Sequence, residues 1–381
     1  MSRLALGVDF GSSGLRLAVF LADSPGPGTP LEERSAAYPG PFEDPLSWLH
    51  GLIALVAGLQ PSIRQRIAAI ALDGTSGTLL LCGPEGSLLP GPLARALPYH
   101  QACEEHSEAC RQLTDSGPAA SPSGSLARAL RLLALAEAEA TGRRWLLRHQ
   151  ADWLMGWLLG DWRWGEEGNN LRLGWDPRQQ RWSGVIAQQP WSHALPLIRP
   201  SGQRLGRLAP EAAQRLNLPV SCQVVAGSTD ANAAVLAADP GPADGIAVLG
   251  TTLVLKRFLP NPLDGPGLSN HRLDGRWLVG GASNSGAGVL RQFFSDDQLA
   301  ELSRQIDPDR PTGLKLRPLP RRGERFPDDD PTLEPILGPR PCSDTLFLQA
   351  LLEGLSDIEA RGWQRLQPPG APALERVISL G

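Results

Sequence analysis

Apolar positions fall into runs with two different periods. Residues 4–10 form an apolar strand and residues 15–20 alternate apolar with other side chains, so the pattern predicts a β-hairpin closed by Gly11-Ser12-Ser13-Gly14. A loop rich in Pro, Gly and charge is expected over 23–45. A helix follows over 46–59, with Leu49, Leu52, Ile53 and Val56 at helical spacing and Asp44 and Pro45 as cap and first-turn proline. Pro61 starts a short helical turn, 67–72 reads as a buried strand, and 79–82 as another. Ser125 caps a helix over 126–140. Residues 145–159 read as one more helix, interrupted by Arg148, His149, Gln150 and Asp152, hence buried or half-buried rather than membrane-spanning.

The stretch 162–182 is dense in tryptophan. Those rings wall a small-molecule pocket or pack an interface, and packing is the more common use. A proline-bearing connection over 189–218 suggests two domains, 1–222 and 223–381. The second opens with a strand (223–227) that leads through Ser228-Thr229-Asp230 into a helix of small apolar residues, 231–238. Asp230 is then a helix cap, or, if Ser228 or Thr229 caps instead, a carboxylate left for chemistry. Residues 245–256 repeat the opening pattern around Gly250-Thr251-Thr252. Two such hairpins, one per domain, facing each other across a cleft, would hold a polyphosphate from both sides. A third Gly/Ser/Asn loop, 280–288, precedes a helix over 289–294; it reads as an anion site or as a plain strand-to-helix turn. The charged, proline-rich stretch 305–341 reads as a surface excursion, followed by a helix over 345–366 and a last strand over 376–381.

Two features of the hairpins change the picture from fold to chemistry. Gly11 and Gly14 are able to take positive φ and let the backbone approach a ligand, and Ser12 and Ser13 add hydroxyls beside backbone N–H groups. Asp9 stands just before that turn. A carboxylate beside phosphate calls for a cation between them, and Mg²⁺ is the usual one; an ordinary hairpin with a polar turn is the plain alternative. The strand 67–72 also delivers small hydroxylated residues, Asp73-Gly74-Thr75-Ser76-Gly77-Thr78, to its carboxyl end, where α/β folds place ligands.

Composition narrows the classes. The net charge of −4 gives no broad basic surface for nucleic acid. Lys256 and Lys315 are the only lysines, and no Gly-x-x-x-x-Gly-Lys motif occurs. The cysteines, Cys82, Cys103, Cys110, Cys222 and Cys342, lack metal-ligand spacing and suit a reducing, cytoplasmic setting. A strand begins at once, so no signal peptide is expected.

Taken in order, Asp9-Phe10-Gly11-Ser12-Ser13, Gly227-Ser228-Thr229-Asp230 and Gly250-Thr251-Thr252 resemble the motifs of FGGY-family carbohydrate kinases. The resemblance spans essentially the whole chain. Asp73 to Thr78 and Gly323-Glu324-Arg325-Phe326-Pro327 look most like the cyanobacterial and plant subgroup resembling D-ribulose kinases. It implies a two-domain α/β fold of the actin-like ATPase (ribonuclease H-like) type with a central cleft, sugar-binding in 1–222 and nucleotide-binding in 223–381. It implies ATP and Mg²⁺ as cofactors and phosphorylation of a terminal hydroxyl of a small ketose, D-ribulose first. Asp230 would be the catalytic base. Asp9 would hold the metal and, with Ser13, Gly14, Leu15, Arg16, Ser76 and Asp230, contact substrate, Gly14 and Leu15 through their backbone. Gly11, Ser12, Ser13, Gly250, Thr251, Thr252 and Gly286 would contact the nucleotide. Xylulose and glycerol kinases carry larger polar or basic side chains where this chain has Thr75-Ser76-Gly77, and an Asp-x-Arg segment where it has Tyr99-His100-Gln101-Ala102, which argues against those substrates. Family members continue past the last strand into a Gly-rich turn and helix that hold adenosine, so a chain stopping at Gly381 is expected to be a shortened form with altered adenine binding. The alternatives are another sugar or polyol kinase, or an actin-like nucleotide-binding protein with no sugar substrate; neither a nucleic acid nor a membrane partner is expected, and the oligomer is a monomer or homodimer.

Overall fold

The strand β1 (Leu4–Phe10) sends Leu4, Leu6, Val8 and Phe10 to a buried face and leaves Ala5, Gly7 and Asp9 half-buried on the other. This period of two is what a sheet packed on one side requires. The structure, a computed structural model, describes residues 2–23, 28–115, 117–138 and 144–380. It divides into two units, Met1–Asp239 with His271–Gly275, and Pro240–Asn270 with Arg276–Gly381.

In the first unit β1 turns into β2 (Leu15–Leu21), which pairs with β3 (Glu32–Ala36). Helices α1 (Pro45–Ala57) and α2 (Pro61–Arg64) lead to β4 (Ile67–Gly74), parallel to β1. The Asp44 side chain accepts the Leu46 N–H at 3.0 Å and so caps α1, with Pro45 at its first position. After β5 (Leu79–Cys82) come α3 (Ser107–Leu113), α4 (Gly117–Ala120), α5 (Ser125–Ala138), β6 (Leu146–His149), which pairs with β5, and α6 (Gln150–Leu159). Short elements follow: β7 (Trp164–Glu166), α7 (Glu167–Asn170), β8 (Trp175–Asp176), β9 (Arg181–Trp182), α8 (Gly184–Ala187), β10 (Leu197–Arg199), β11 (Arg204–Arg207) and α9 (Pro210–Leu216). The unit ends on β12 (Gln223–Thr229) and α10 (Asp230–Ala237). The main sheet runs β11-β12-β4-β1-β2-β3, with β12, β4 and β1 parallel neighbours. Its buried face packs Leu6, Val8 and Phe10 against Trp48 and Leu52 of α1, Leu154 of α6 and Leu216 of α9. Each such side chain contributes about 1.5–3 kcal/mol of burial free energy.

The second unit carries β13 (Asp244–Leu249), β14 (Leu253–Leu259), the first half of β15 (Leu268–Leu273, whose residues from His271 on count with the first unit), β16 (Arg276–Ala282), α11 (Ala287–Leu290), α12 (Asp296–Ser303), α13 (Asp344–Arg365) and β17 (Arg376–Leu380). Its sheet runs β15-β16-β14-β13-β17. The long helix α13, capped by Ser343, buries Phe347, Leu351 and Leu355 against Leu290 and Phe294, and Ile358 against Leu255 and Phe326. Among the described residues no helix is long and apolar enough to cross a membrane.

Several expectations are corrected. The loop expected over 23–45 contains β3, whose Glu-Glu-Arg-Ser-Ala sequence has no apolar face to reveal it. The helix expected over 145–159 begins only at Gln150, because Leu146 and Leu147 pair with Cys82 and Leu81 as a strand. Short apolar runs do not distinguish the two by periodicity. The division falls at Asp239/Pro240 rather than at 222/223, since β12 hydrogen-bonds to β4 in the first unit's sheet. The expected surface excursion 305–341 buries Leu316, Leu319, Glu324 and Phe326. The helix expected over 289–294 is a single turn, Ala287–Leu290, and that expected over 345–366 starts one residue earlier. The last two residues of the expected helix 126–140, and Gly381 at the end of the expected last strand, lie outside the described residues.

Candidate active site

Three parallel strands end side by side. Register sets Asp9 of β1 opposite Asp73 of β4, and Ser228 of β12 opposite Asp73 on its other flank. One residue past β12, Asp230 opens α10. Thr229 caps that helix, its hydroxyl accepting the Asn232 N–H at 3.2 Å, so Asp230 is not the cap. A cavity of about 640 Å³ opens over this row, lined by Gly7, Asp9, Arg16, Asp73, Asp230 and Ala234 among others. Carboxyl ends of adjacent parallel strands are where such folds collect ligands.

The acids do not share one state. Arg16 donates to Asp9 Oδ2 at 3.1 Å, from a guanidinium that is itself largely exposed. Burial, and then the charge of Asp9, hold the Asp73 carboxyl well above the ordinary carboxylate range, with Asp9, Asp230 and Glu166 all adding to the rise. At neutral pH Asp73 therefore keeps its proton and is able to donate to Asp9. One oxygen of each, Asp9 Oδ1 and Asp73 Oδ1, is buried without a hydrogen-bond partner. A carboxyl whose pKa rises on folding binds more protons folded than unfolded, so stability is full below the unfolded pKa and falls as pH climbs towards the folded one. Asp73→Asn keeps the shape and the donor without the titration. It is expected to be more stable than the parent at pH 8, with the gap narrowing as the pH falls towards 4. Denaturant titrations across that range check this, and a gap independent of pH contradicts it.

The first hairpin turn exposes Ser12 and Ser13. Gly11 and Gly14 do not use positive φ. Gly14 is needed for close approach instead, since a Cβ there would lie 2.6 Å from the Ala36 carbonyl oxygen. Leu15 is fully buried by its side chain, so only its backbone is available to a ligand. Tyr38, which sequence reasoning missed, donates its hydroxyl to the Gly11 carbonyl at 2.8 Å and so braces the turn. Burial raises its pKa, a side-chain hydrogen bond with Gln150 partly opposes this, and the charges of Asp9 and Asp230 add to the rise.

The turn after β4 is held from several sides. Arg128, fully buried, donates to the carbonyls of Gly77 (2.8 Å), Gln101 (2.7 Å) and Ser123 (2.9 Å). Gln150 Oε1 accepts from Thr75 N–H (3.0 Å) and Thr75 hydroxyl (2.9 Å), and Asn169 Oδ1 accepts from Gly77 N–H (3.1 Å). Thr75, Gly77 and Thr78 are buried, and Ser76 is the half-buried residue between them. Behind Asn169, the Glu166 carboxylate accepts from the N–H groups of Gly168 and Asn169, while Asp152 accepts from Glu166 N–H and the Asn170 amide. Burial and the Asp152 charge raise the Glu166 carboxyl. Glu167 accepts from Arg272 through Nε (3.1 Å) and Nη2 (3.0 Å). Asp73 falls in the segment expected at a ligand-bearing strand end, whereas Gln150, Asn169 and Glu166 do not stand among the expected site residues. The available signal was that strands 4–10 and 67–72 each run into an aspartate.

The tryptophans of 162–182 pack rather than wall a pocket. Trp175 and Trp182 meet edge to face across β8 and β9, and Arg199 stacks on Trp164.

In the second unit, Gly250-Thr251-Thr252 closes β13 to β14, with Gly250 and Thr251 exposed. Gly286 lies beneath this turn, where a Cβ would come within 2.6 Å of the Thr251 carbonyl; it supports the turn from a buried position. The Gly/Ser/Asn loop already has its anion. The buried Glu324 carboxylate accepts from Ser283 hydroxyl (2.6 Å), Asn284 N–H (2.7 Å) and Arg325 N–H (2.9 Å). Among the described residues no group of three or more His, Cys, Asp or Glu side chains converges as a metal site.

No protein-family profile matches the chain. Its fold is that of solved two-domain sugar kinases. Xylulose kinase from Rhodospirillum rubrum superposes with a TM-score of 0.79 at 20% identity, over 99% of this chain and 81% of that one. Gluconate kinase from Lactobacillus acidophilus gives 0.79 at 14% identity, over 100% and 81%. Plasmodium falciparum glycerol kinase, solved with ADP, gives 0.75 at 14% identity, over 99% and 81%.

Proposed function

We propose that this protein transfers the γ-phosphoryl group of ATP to a terminal hydroxyl of a small neutral ketose, D-ribulose first, with D-xylulose or another sugar or polyol as alternatives within the same chemistry. The observation that carries this reading is the row Asp9, Asp73 and Asp230 at neighbouring strand ends, with an exposed Gly/Ser turn directly after Asp9. The fold shared with xylulose, gluconate and glycerol kinases supports it.

Phosphoryl transfer asks for positioning and charge stabilisation more than for covalent chemistry. Asp230 accepts the proton of the attacking hydroxyl. Its place at the start of α10, outside the cap, leaves it half-buried at the cavity. Asp73, protonated, donates to Asp9 and keeps that carboxylate oriented. Ser12, Ser13, Thr251 and Thr252 present hydroxyls and backbone N–H groups to phosphate oxygens, each pair on the exposed turn of its own unit. Sugar binding then falls to the first unit and nucleotide binding to the second.

Asp9 fits Mg²⁺, because its carboxylate lines the cavity and one carboxylate with phosphate oxygens and water is a usual magnesium set. When bound, the ion offsets phosphate charge near Asp9. Arg16 contributes to the same end by neutralising Asp9 Oδ2.

ADP release measured over D-ribulose, D-xylulose, glycerol and D-gluconate tests the reading. Stimulation by a pentulose is expected. ATP turnover that no sugar or polyol changes overturns it in favour of a nucleotide-binding protein without sugar substrate.

A further inference from the structure

Resting on that reading, we propose that Arg272 and His271, at the tip between β15 and β16, are positioning residues: they clamp α7 against α10 and so fix the direction in which the Asp230 carboxylate faces the attacking hydroxyl. The tip has a defined shape. Two residues join the strands, Asp274 and Gly275, both at positive φ (50° and 71°), as a tight hairpin turn requires. Leu273 beside them is buried. Residues His271–Gly275 fold with the first unit, although the rest of both strands counts with the second.

Two contacts make the clamp. Arg272 meets the buried Glu167 carboxylate with two bonds, Nε to Oε2 and Nη2 to Oε1. Such a fork fixes orientation as well as charge. One residue earlier, His271 Nδ1 accepts from Asn232 Nδ2 at 3.3 Å. Asn232 is fully buried in the first turn of α10, and its backbone N–H is held by Thr229. Backbone and side chain of Asn232 are therefore both fixed, two residues after Asp230. Between the two contacts α7 presses on α10: a Cβ at Gly168 would stand 3.0 Å from Asn232 Nδ2 and 3.1 Å from Glu166 Oε2.

Neither contact is needed to start a helix. Glu166 caps α7 and Thr229 caps α10. What the tip adds is the register between the two helices, which their own caps leave unset. The bond from Ala231 N–H to Asp230 Oδ1 turns with α10 and gives the carboxylate no outside reference. Charge makes Arg272 specific to its place. Glu166 and Glu167 are adjacent and both buried, and Arg272 supplies the counter-charge that lets Glu167 stay packed. Without it the carboxylate draws in water or α7 moves, and Asn232 moves with it. A base shifted by a fraction of an ångström then loses its alignment with the hydroxyl.

The test is steady-state kinetics with a pentulose, thermal melts, and hydrogen exchange across residues 229–237. It compares the parent with Arg272→Ala, Arg272→Lys, His271→Ala and the double variant Glu167→Leu/Arg272→Met. Arg272→Ala is expected to lower kcat by about 10-fold or more, with the KM for ATP near the parent's and faster exchange at the start of α10. Arg272→Lys keeps the charge without the fork and is expected to recover part of kcat. The double variant removes both charges and the fork together, so it serves if Arg272→Ala does not fold; it is expected to stay folded with a low kcat. His271→Ala strands no charge and is expected to lower kcat several-fold. A purely structural role would move the melting temperature and leave kcat per folded molecule alone. Parental kcat per folded molecule in these variants, or unchanged exchange at the start of α10, overturns the inference while pentulose phosphorylation by the parent leaves the proposed function standing. No turnover of any sugar or polyol by the parent overturns both.

Discussion

Asp230→Ala is expected to lower ketose-dependent phosphoryl transfer by about 10²–10⁴-fold, the range for removal of a general base, while the protein stays folded. The two halves of this expectation come from different residues. Thr229 supplies the cap of α10, so the helix keeps its start when the carboxylate is lost. Asp230 Oδ1 accepts the N–H of the next residue, Ala231, at 2.7 Å, a local bond at a helix N-terminus worth about 1 kcal/mol or less. With the cap made by Thr229 and the Asp230 carboxylate lining the acid cavity, loss of that carboxylate has its main effect on chemistry. Steady-state kinetics beside a thermal melt separate the two. Near-parental turnover in a folded variant removes Asp230 from the mechanism.

Gly227→Ala is expected to be the most destabilising single methyl in the first unit, by more than about 3 kcal/mol. Here β12 passes so close to β4 that a Cβ would stand 1.6 Å from the Leu72 carbonyl oxygen and 2.6 Å from its carbon. Both are backbone atoms of a central strand, so no side chain rotates out of the way. The pairing of β12 with β4 already shifts register between Val225 and Ser228. Ser228, Thr229 and Asp230 follow directly, so a displaced strand also displaces the Asp230 carboxylate. Gly7 on neighbouring β1 is the control: nothing lies within 4 Å of its Cβ position, and Gly7→Ala is expected to change stability little. Denaturant unfolding of the two variants reads the contrast directly. Equal stabilities contradict it.

Glycine 227 also shows what sequence reading reaches. A Gly-x-x-Asp before a helix was legible, and with it Asp230. Why glycine is required was not, because the reason lies on β4, some 150 residues earlier in the chain. The hairpins at Asp9 and Gly250 were legible for the same reason as Leu4 to Phe10: apolar alternation against a turn of Gly and hydroxyl residues is a local signal. β3 carries no such signal, and β6 reads as helix because only its pairing with β5 makes it a strand.

The site divides along the same line. Asp9 and Asp230 announce themselves by position after a strand. Asp73 acquires its importance only through register with Asp9, and Gln150 and Asn169 only by what their oxygens hold. In the second unit a Gly-rich loop that looked open to an outside anion is satisfied by Glu324, from a segment expected on the surface. Local pattern finds groups that stand at element ends. It does not find partners brought in by tertiary pairing.

The most direct measurement is ³¹P NMR of the product formed from ATP and D-ribulose or D-xylulose by the parent protein and by Asp230→Ala. A sugar phosphomonoester resonance growing in step with ADP for the parent, and absent for the variant, is the predicted result. Inorganic phosphate as the sole product from either ketose, or an ester formed equally by both proteins, would contradict the account.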